Sequence, residues 1–292
     1  MNLAPEVTGF YEKHTGSVQY VVACPETKHC AIIDPVLDFD EKSGATATIE
    51  ADRLLRFIEE RGYQLKWILD THPHADHFSA ADYLKHRTGA PTAIGEKVVG
   101  VQKLWKDFYN WPDFPDDGSQ WDRLFADGET FMLGHIPVRV MHSPGHTLAS
   151  VTYVIGDAAF IHDTLFMPDS GSARADFPGG SAHALWHSIQ AILSLPEDTR
   201  LFTGHDYCAG GRAAAWEATV AEQKATNIHI SRLLTEADFV AAREARDRSL
   251  PMPRLILQAL QINTNAGRMP QPESNGRSYL KIPLNLLQSP WA

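Results

Sequence analysis

Asp70-Thr71-His72-Pro73-His74-Ala75-Asp76-His77 follows directly on the apolar run Trp67-Ile68-Leu69. A short apolar run of this kind is a candidate buried strand, and the abrupt change to His and Asp marks its end. Residues two apart on extended backbone share a side, so His72 and His74 can converge on one point. Asp76 and His77 lie past the bend and can face a neighbouring point. Imidazole and carboxylate donors suit Zn, Fe or Mn better than Ca or Mg. A lone histidine is usually a surface group or a satisfied core group. Four donors packed together at a strand end are different, and the segment is expected to ligate at least one metal.

Outward from this segment the chain alternates between strand-like and helix-like patterns. Upstream, residues 18–24 and 31–34 are β-prone runs around a Pro25-Glu26-Thr27-Lys28 turn. Ala51, Leu54, Leu55 and Ile58 recur at i, i+3, i+4, i+7 and predict a helix ended by Gly62. Downstream, a helix is expected from Phe78 to His86, stopped by Gly89, and then a loop over residues 110–120. Two hairpins are predicted, turning at Asp127-Gly128 and Gly156-Asp157, with strands at 136–142, 150–155 and 158–162. Ser181 can cap a helix whose core face is Leu185, Ile189 and Ile192. Residues 201–203 form a last short strand. Helices are expected to fill residues 213–245, where Thr235-Glu236-Ala237-Asp238 resembles a capping box. From Pro251 onward, Pro, Asn and Gly interrupt every pattern. The expected division is one catalytic unit over residues 1–250 and an extension over 251–292 that wraps it.

Further donors sit at later strand ends. His146 lies in Ser143-Pro144-Gly145-His146-Thr147, Asp163 in Ile161-His162-Asp163-Thr164, and His205 in Gly204-His205-Asp206-Tyr207. Loops beyond strand ends are where an α/β scaffold places its working residues.

Composition excludes several classes. Of 292 residues, 43% are hydrophobic and 21% charged, which is ordinary globular usage. Lys and Arg number 26 against 36 Asp and Glu, a balance of −10. That charge, with no basic block, disfavours nucleic acid and anionic membrane surfaces. No apolar run reaches the roughly 18 residues needed to cross a bilayer. The start, Met1 to Glu6, has neither the basic nor the apolar region of a secretory signal. Cys24, Cys30 and Cys208 form no even disulfide framework, which points to a reducing, cytoplasmic location.

The motifs Thr71-His72-x-His74-x-Asp76-His77, Pro144-Gly145-His146-Thr147, His162-Asp163-Thr164-Leu165-Phe166 and Gly204-His205-Asp206-Tyr207 together resemble the metallo-β-lactamase superfamily over about residues 15–210. The resemblance implies an α/β fold, a four-layer αβ/βα sandwich with the metal site at one edge of its two sheets. Ser172-Ala173-Arg174-Ala175-Asp176-Phe177-Pro178-Gly179-Gly180 is similar to a stretch of persulfide dioxygenases, also called sulfur dioxygenases. The tail, with Leu250-Pro251-Met252-Pro253-Arg254-Leu255, Asn275-Gly276 and Tyr279-Leu280-Lys281-Ile282-Pro283, looks like the bacterial branch of that family. His162 is a departure, because glyoxalase II relatives carry Gly there.

The resemblance implies one Fe(II) per chain and the conversion of glutathione persulfide, O2 and water to glutathione and sulfite. All seven donors of a two-metal site are present, so residue count alone favours two metals. The resemblance instead implies iron held by His72, His146 and Asp163, a 2-His-1-carboxylate triad with open positions. His74, Asp76, His77 and His205 then orient ligands and water or hold a second metal. No catalytic residue is expected beyond the iron and its ligands. Arg174, Tyr207 and Arg212 are the expected glutathione contacts, because glutathione carries two carboxylates that a guanidinium can bind bidentately. A rhodanese-type sulfur carrier and a homodimer or higher homo-oligomer are the expected partners. Two other readings are a dinuclear hydroxyacylglutathione hydrolase of the glyoxalase II type and a non-catalytic sensor built on the same fold.

Overall fold

The computed structural model describes residues 4–231 and 235–287. Residues 1–3, 232–234 of the expected helical stretch and 288–292 of the tail lie outside the described residues. In chain order the strands are β1 (Glu6–Tyr11), β2 (Val18–Ala23), β3 (His29–Ile33), β4 (Val36–Asp40), β5 (Ala45–Ala47), β6 (Gln64–Leu69), β7 (Phe78–Ser79), β8 (Thr92–Gly95) and β9 (Arg123–Phe125). They continue with β10 (Thr130–Leu133), β11 (Ile136–His142), β12 (Val151–Ile155), β13 (Ala158–His162), β14 (Arg200–Thr203) and β15 (Glu217–Thr219). The helices are α1 (Ile49–Glu60), α2 (Ala81–Thr88), α3 (Val98–Tyr109), α4 (Ala182–Leu193), α5 (Val220–Thr226), α6 (Glu236–Asp247) and α7 (Ile256–Asn263).

Two six-stranded sheets, ordered β1-β2-β3-β6-β8-β9 and β10-β11-β12-β13-β14-β15, pack face to face. Strand β2 shows why. Val18, Tyr20 and Val22 enter the core between the sheets, whereas Val21 and Ala23 enter a second core under helices α1 and α2. Strand β13 does the same from the other sheet, with Phe160 inward and Ala159 and Ile161 against α4 and α6. Period-two alternation with both faces apolar is the pattern of a strand covered on both sides. Helices therefore flank both sheets in the expected αβ/βα layering. Tyr20, Phe160 and Phe202 meet with ring centroids 5.2–5.6 Å apart at the centre. Truncating such an aromatic to Ala typically costs about 3–5 kcal/mol.

Several expected elements occur with shifted ends. Helix α1 buries Ala51, Leu54 and Ile58, and α2 ends at Gly89 in the left-handed conformation. Ser181 accepts a hydrogen bond from the Ala184 amide and caps α4. Asp127-Gly128 is not a hairpin turn, because it carries the chain from β9 in one sheet to β10 in the other. The hairpin before β12 instead turns between Leu133 and Ile136. Phe78 belongs to the short strand β7, which pairs with β4. Thr235 caps α6, but the reciprocal capping box is Thr219 with Glu222 at α5. No described helix is long and apolar enough to cross a membrane.

Candidate metal centre

The donors collect where the two sheets meet at one edge. His72, His74, Asp76 and His77 follow β6, His146 follows β11, Asp163 follows β13, and His205 follows β14. The Val18 amide donates to the Gly204 carbonyl at 2.8 Å, and Ser17 bridges to His205, joining the two sheets there. Two glycines make the approach possible. A Cβ on Gly145, whose φ is +135°, would lie 2.3 Å from the Leu185 backbone. A Cβ on Gly204 would lie 2.5 Å from Asp163 Oδ1.

The donors fall into two groups. His72, His146 and Asp163 bring ligand atoms within 4.8 Å of one another, and so do His74, Asp76 and His77. Hydrogen bonds settle which ring nitrogen of the first group is bare. Thr71 Oγ1 donates its single proton to Asp34 Oδ2 at 2.8 Å, so it accepts from His72 Nδ1–H at 3.0 Å. His146 Nδ1–H donates to the Arg174 carbonyl at 2.9 Å. Both rings therefore aim an unprotonated Nε2 at the site, the usual way a buried partner sets a ligand's tautomer. Asp163 gives Oδ1 to His205 at 2.6 Å, while its Oδ2 stands 3.8 Å from His146 Nε2.

The second group is wired differently. His205 lies between two carboxylates, with Nδ1 on Asp163 Oδ1 at 2.6 Å and Nε2 on Asp76 Oδ2 at 2.5 Å. Ser17 Oγ completes the cluster, 3.0 Å from Asp76 Oδ2, 3.1 Å from His77 Nδ1 and 3.0 Å from His205 Nε2. Burial opposes a charge on His205, but Asp163 and Asp76 on either side hold the ring protonated well above the usual histidine range. Burial, aided by the neighbouring imidazoles His74, His162 and His146, pushes His72 well below that range. His74 Nε2 lies 3.0 Å from Asp34 Oδ1 but off the hydrogen-bonding direction.

These residues fit a metal ion. His72 Nε2, His77 Nε2 and both nitrogens of His74 are buried without a hydrogen-bond partner among the described residues. An unpaired buried polar group costs about 1–3 kcal/mol. Imidazole lone pairs gathered beside two carboxylates would relieve that cost by coordinating a metal ion.

A cavity of about 710 Å³ opens onto Asp76, His146 and Asp163. Arg174 and Tyr207 both line it. Tyr207 is 61% exposed and stacks on His205. The guanidinium of Arg174 is already engaged: Nε and Nη2 bind Asp176 at 2.7 and 2.8 Å, and Nη1 binds the Pro251 carbonyl at 2.6 Å. It also covers Phe177, whose ring packs 4.9 Å from that of His146. Arg212 is not brought to the cavity wall; it pairs with Asp169 and the buried Asp206. His162 turns away from the cavity, holding Ser143 and Thr164 through Nε2 at 2.9 Å each.

Reading by sequence missed Asp34, Ser17 and Asn263. Asp34 ends a β-prone run as Asp163 does, and that position was the available signal. Asn263 had none: its Nδ2 donates to the carbonyls of His74 and His77 at 2.8 and 2.7 Å, from helix α7 in the tail.

The family model described as metallo-beta-lactamase superfamily matches residues 14–205. A "Beta-lactamase hydrolase-like protein" of Xylella fastidiosa is 67% identical over 97% of this chain and 66% of its own length. The chain thus spans about two thirds of that longer relative. "Glyoxylase B2" of Dictyostelium discoideum is 45% identical over 99% of this chain and 100% of its own. "Persulfide dioxygenase ETHE1, mitochondrial" of Bos taurus is 26% identical over 88% and 87%. Among solved structures, ETHE1 from Myxococcus xanthus superposes with a TM-score of 0.73 at 26% identity, covering 90% of this chain and 100% of that one.

Proposed function

The chain belongs to the metallo-β-lactamase superfamily, and from that premise we propose that it is a persulfide dioxygenase with one Fe(II) held by His72, His146 and Asp163. The observation that carries this reading is the wiring of His205. Both of its ring nitrogens lie against carboxylate oxygens, so it has no lone pair to offer a second metal. It stands instead between Asp163 and Asp76, bridging the two carboxylates. Iron at the remaining triad would supply redox chemistry that zinc lacks and leave positions for a thiolate sulfur and O2.

The chain's own residues do the rest. Thr71 and the Arg174 carbonyl hold the two histidine rings in the ligand tautomer, and His205 fixes Asp163. Arg174, Arg243, Arg246 and Arg254 edge the cavity. Although Arg174, Arg243 and Arg254 also pair with Asp176, Asp247 and Glu41, this lining is the feature that suits an anionic peptide such as glutathione persulfide. Arg174 shapes that wall by tying it to Pro251, and Tyr207 offers its phenol to the peptide backbone. Residues 251–292 serve the same catalytic unit, 1–250, as its extension. A cytoplasmic homo-oligomer supplied by a rhodanese-type sulfur carrier is part of the same reading.

One observation favours a dinuclear glutathione thioesterase. His74, Asp76 and His77 form a second set of donors, with His77 Nε2 bare. The deciding experiment is an oxygen-electrode trace with glutathione persulfide beside metal analysis. Oxygen uptake with close to one iron per chain is expected. Two metals per chain, with thioester hydrolysis and no oxygen uptake, would overturn the proposal.

A further inference from the structure

Outside the cavity lining, α4 exposes His183 and His187, one helical turn apart. Their side chains are 66% and 69% open to solvent, so neither serves the core. Both point to one carboxylate oxygen on a different helix. His183 Nδ1 lies 2.7 Å and His187 Nε2 3.4 Å from Oε1 of Glu236, the first residue of α6. Side chains four apart on a helix share a face and can chelate a single ion.

We propose that His183, His187 and Glu236 form a surface site for a divalent transition metal of the zinc class, separate from the catalytic centre. Ligand atoms on one tetrahedral zinc stand about 3.3 Å apart, given bonds of roughly 2.0–2.1 Å. The two nitrogen–oxygen separations bracket that spacing, whereas the two imidazole nitrogens stand more than 4.8 Å apart and one ring must turn toward the other to share an ion. Imidazole and carboxylate match zinc, nickel or copper and disfavour calcium or magnesium, which want oxygen donors. Because two thirds of each side chain is free, a rotamer change can bring the rings together without disturbing the core.

The site would pin α4 to α6, and both helices reach the catalytic region. Ser188 Oγ of α4 donates to the Pro144 carbonyl at 2.6 Å, and the Ser181 amide donates to Gly145, holding the loop that carries His146. Helix α6 contributes Arg243 and Arg246 to the cavity wall, and its Asp247 accepts from the Ala175 amide at 2.9 Å. Between the two histidines, Trp186 already packs on Phe239 of α6 with ring centroids 5.3 Å apart. A bound ion would cross-link an existing helix contact.

The test uses the full chain loaded with its catalytic metal, dialysed against Zn²⁺ and counted by elemental analysis. Wild type is expected to hold one zinc per chain more than the double variant His183→Ala/His187→Ala. Its Tm should rise in saturating zinc by on the order of 3 °C, a shift the variant lacks. Glu236→Gln, which keeps both imidazoles but loses the charge, should bind zinc more weakly than wild type. The comparison is a difference between variants, so it stands whether the catalytic centre holds one metal or two. Equal zinc counts and equal Tm shifts in wild type and the double variant would overturn it.

Discussion

The two halves of the metal centre use the same side-chain types and differ in how they are assembled. His72, His146 and Asp163 come from three separate strand ends and have outer nitrogens or oxygens tied to Thr71, the Arg174 carbonyl and His205. His74, Asp76 and His77 come from one turn, and their surroundings are internal: Ser17, His205 and Asp34. The lesson is that a donor's identity does not make it a ligand. What matters is which lone pairs remain after the neighbours have taken theirs.

The largest effect that could break this comparison is on Asp163. Asp163→Ala removes a charge and a bond from an open three-ligand site, and it frees His205 from one of its two carboxylates. The protein should purify with little iron and show no oxygen uptake above background. Asp76→Ala should keep most of its iron and lose roughly 10- to 100-fold in activity, as expected for a group that orients others. Metal analysis of both variants decides: if Asp76→Ala strips one of two metals, the two halves are equivalent and the dinuclear reading takes over.

Asp34 sharpens the comparison because it serves both halves. It accepts from the amide and hydroxyl of Thr71 and faces His74. Burial would raise its carboxyl, yet His74 and the Thr71 bonds hold it below the usual range. Asp34→Asn loses one acceptor and places a donor where Thr71 donates. A loss of about 1–3 kcal/mol in denaturant unfolding is expected, together with reduced iron content. Unchanged stability with unchanged iron would show that Thr71 does not set the tautomer of His72.

The smallest expected effect lies on the cavity wall. Arg174 spends its donors on Asp176 and Pro251, so Arg174→Ala should act by loosening the wall rather than by removing a free cation. About a tenfold loss in kcat/KM is expected, mostly in KM, with iron retained. Arg174→Lys should resemble the Ala variant, because an ammonium cannot rebuild the planar fork. Full rescue by Lys would mean that charge alone matters there.

Much of the fold was legible because its signals are local. The apolar stripe of α1, the Gly89 stop of α2 and the Ser181 cap of α4 each depend on residues within a few positions. Helix α7 was not legible. It follows two prolines, and Ile256, Ala259, Leu260, Gln261, Ile262 and Asn263 are all buried, so no polar face marks its period. Strand β15 is three residues long and paired at a sheet edge, too short to show alternation.

By itself the sequence determined the metal-binding character of the chain. Strand-end histidines and carboxylates at these spacings need only a local bend to cluster. Only the tertiary structure decided how the cluster divides. Ser17 reaches His205 across 188 residues of chain, Asp34 reaches Thr71 across 37, and Asn263 reaches His77 across 186. A ring nitrogen becomes a ligand or a hydrogen-bond donor according to partners brought to it from other strands. The physical reason is that each buried nitrogen has one lone pair or one proton to give, and packing chooses who receives it.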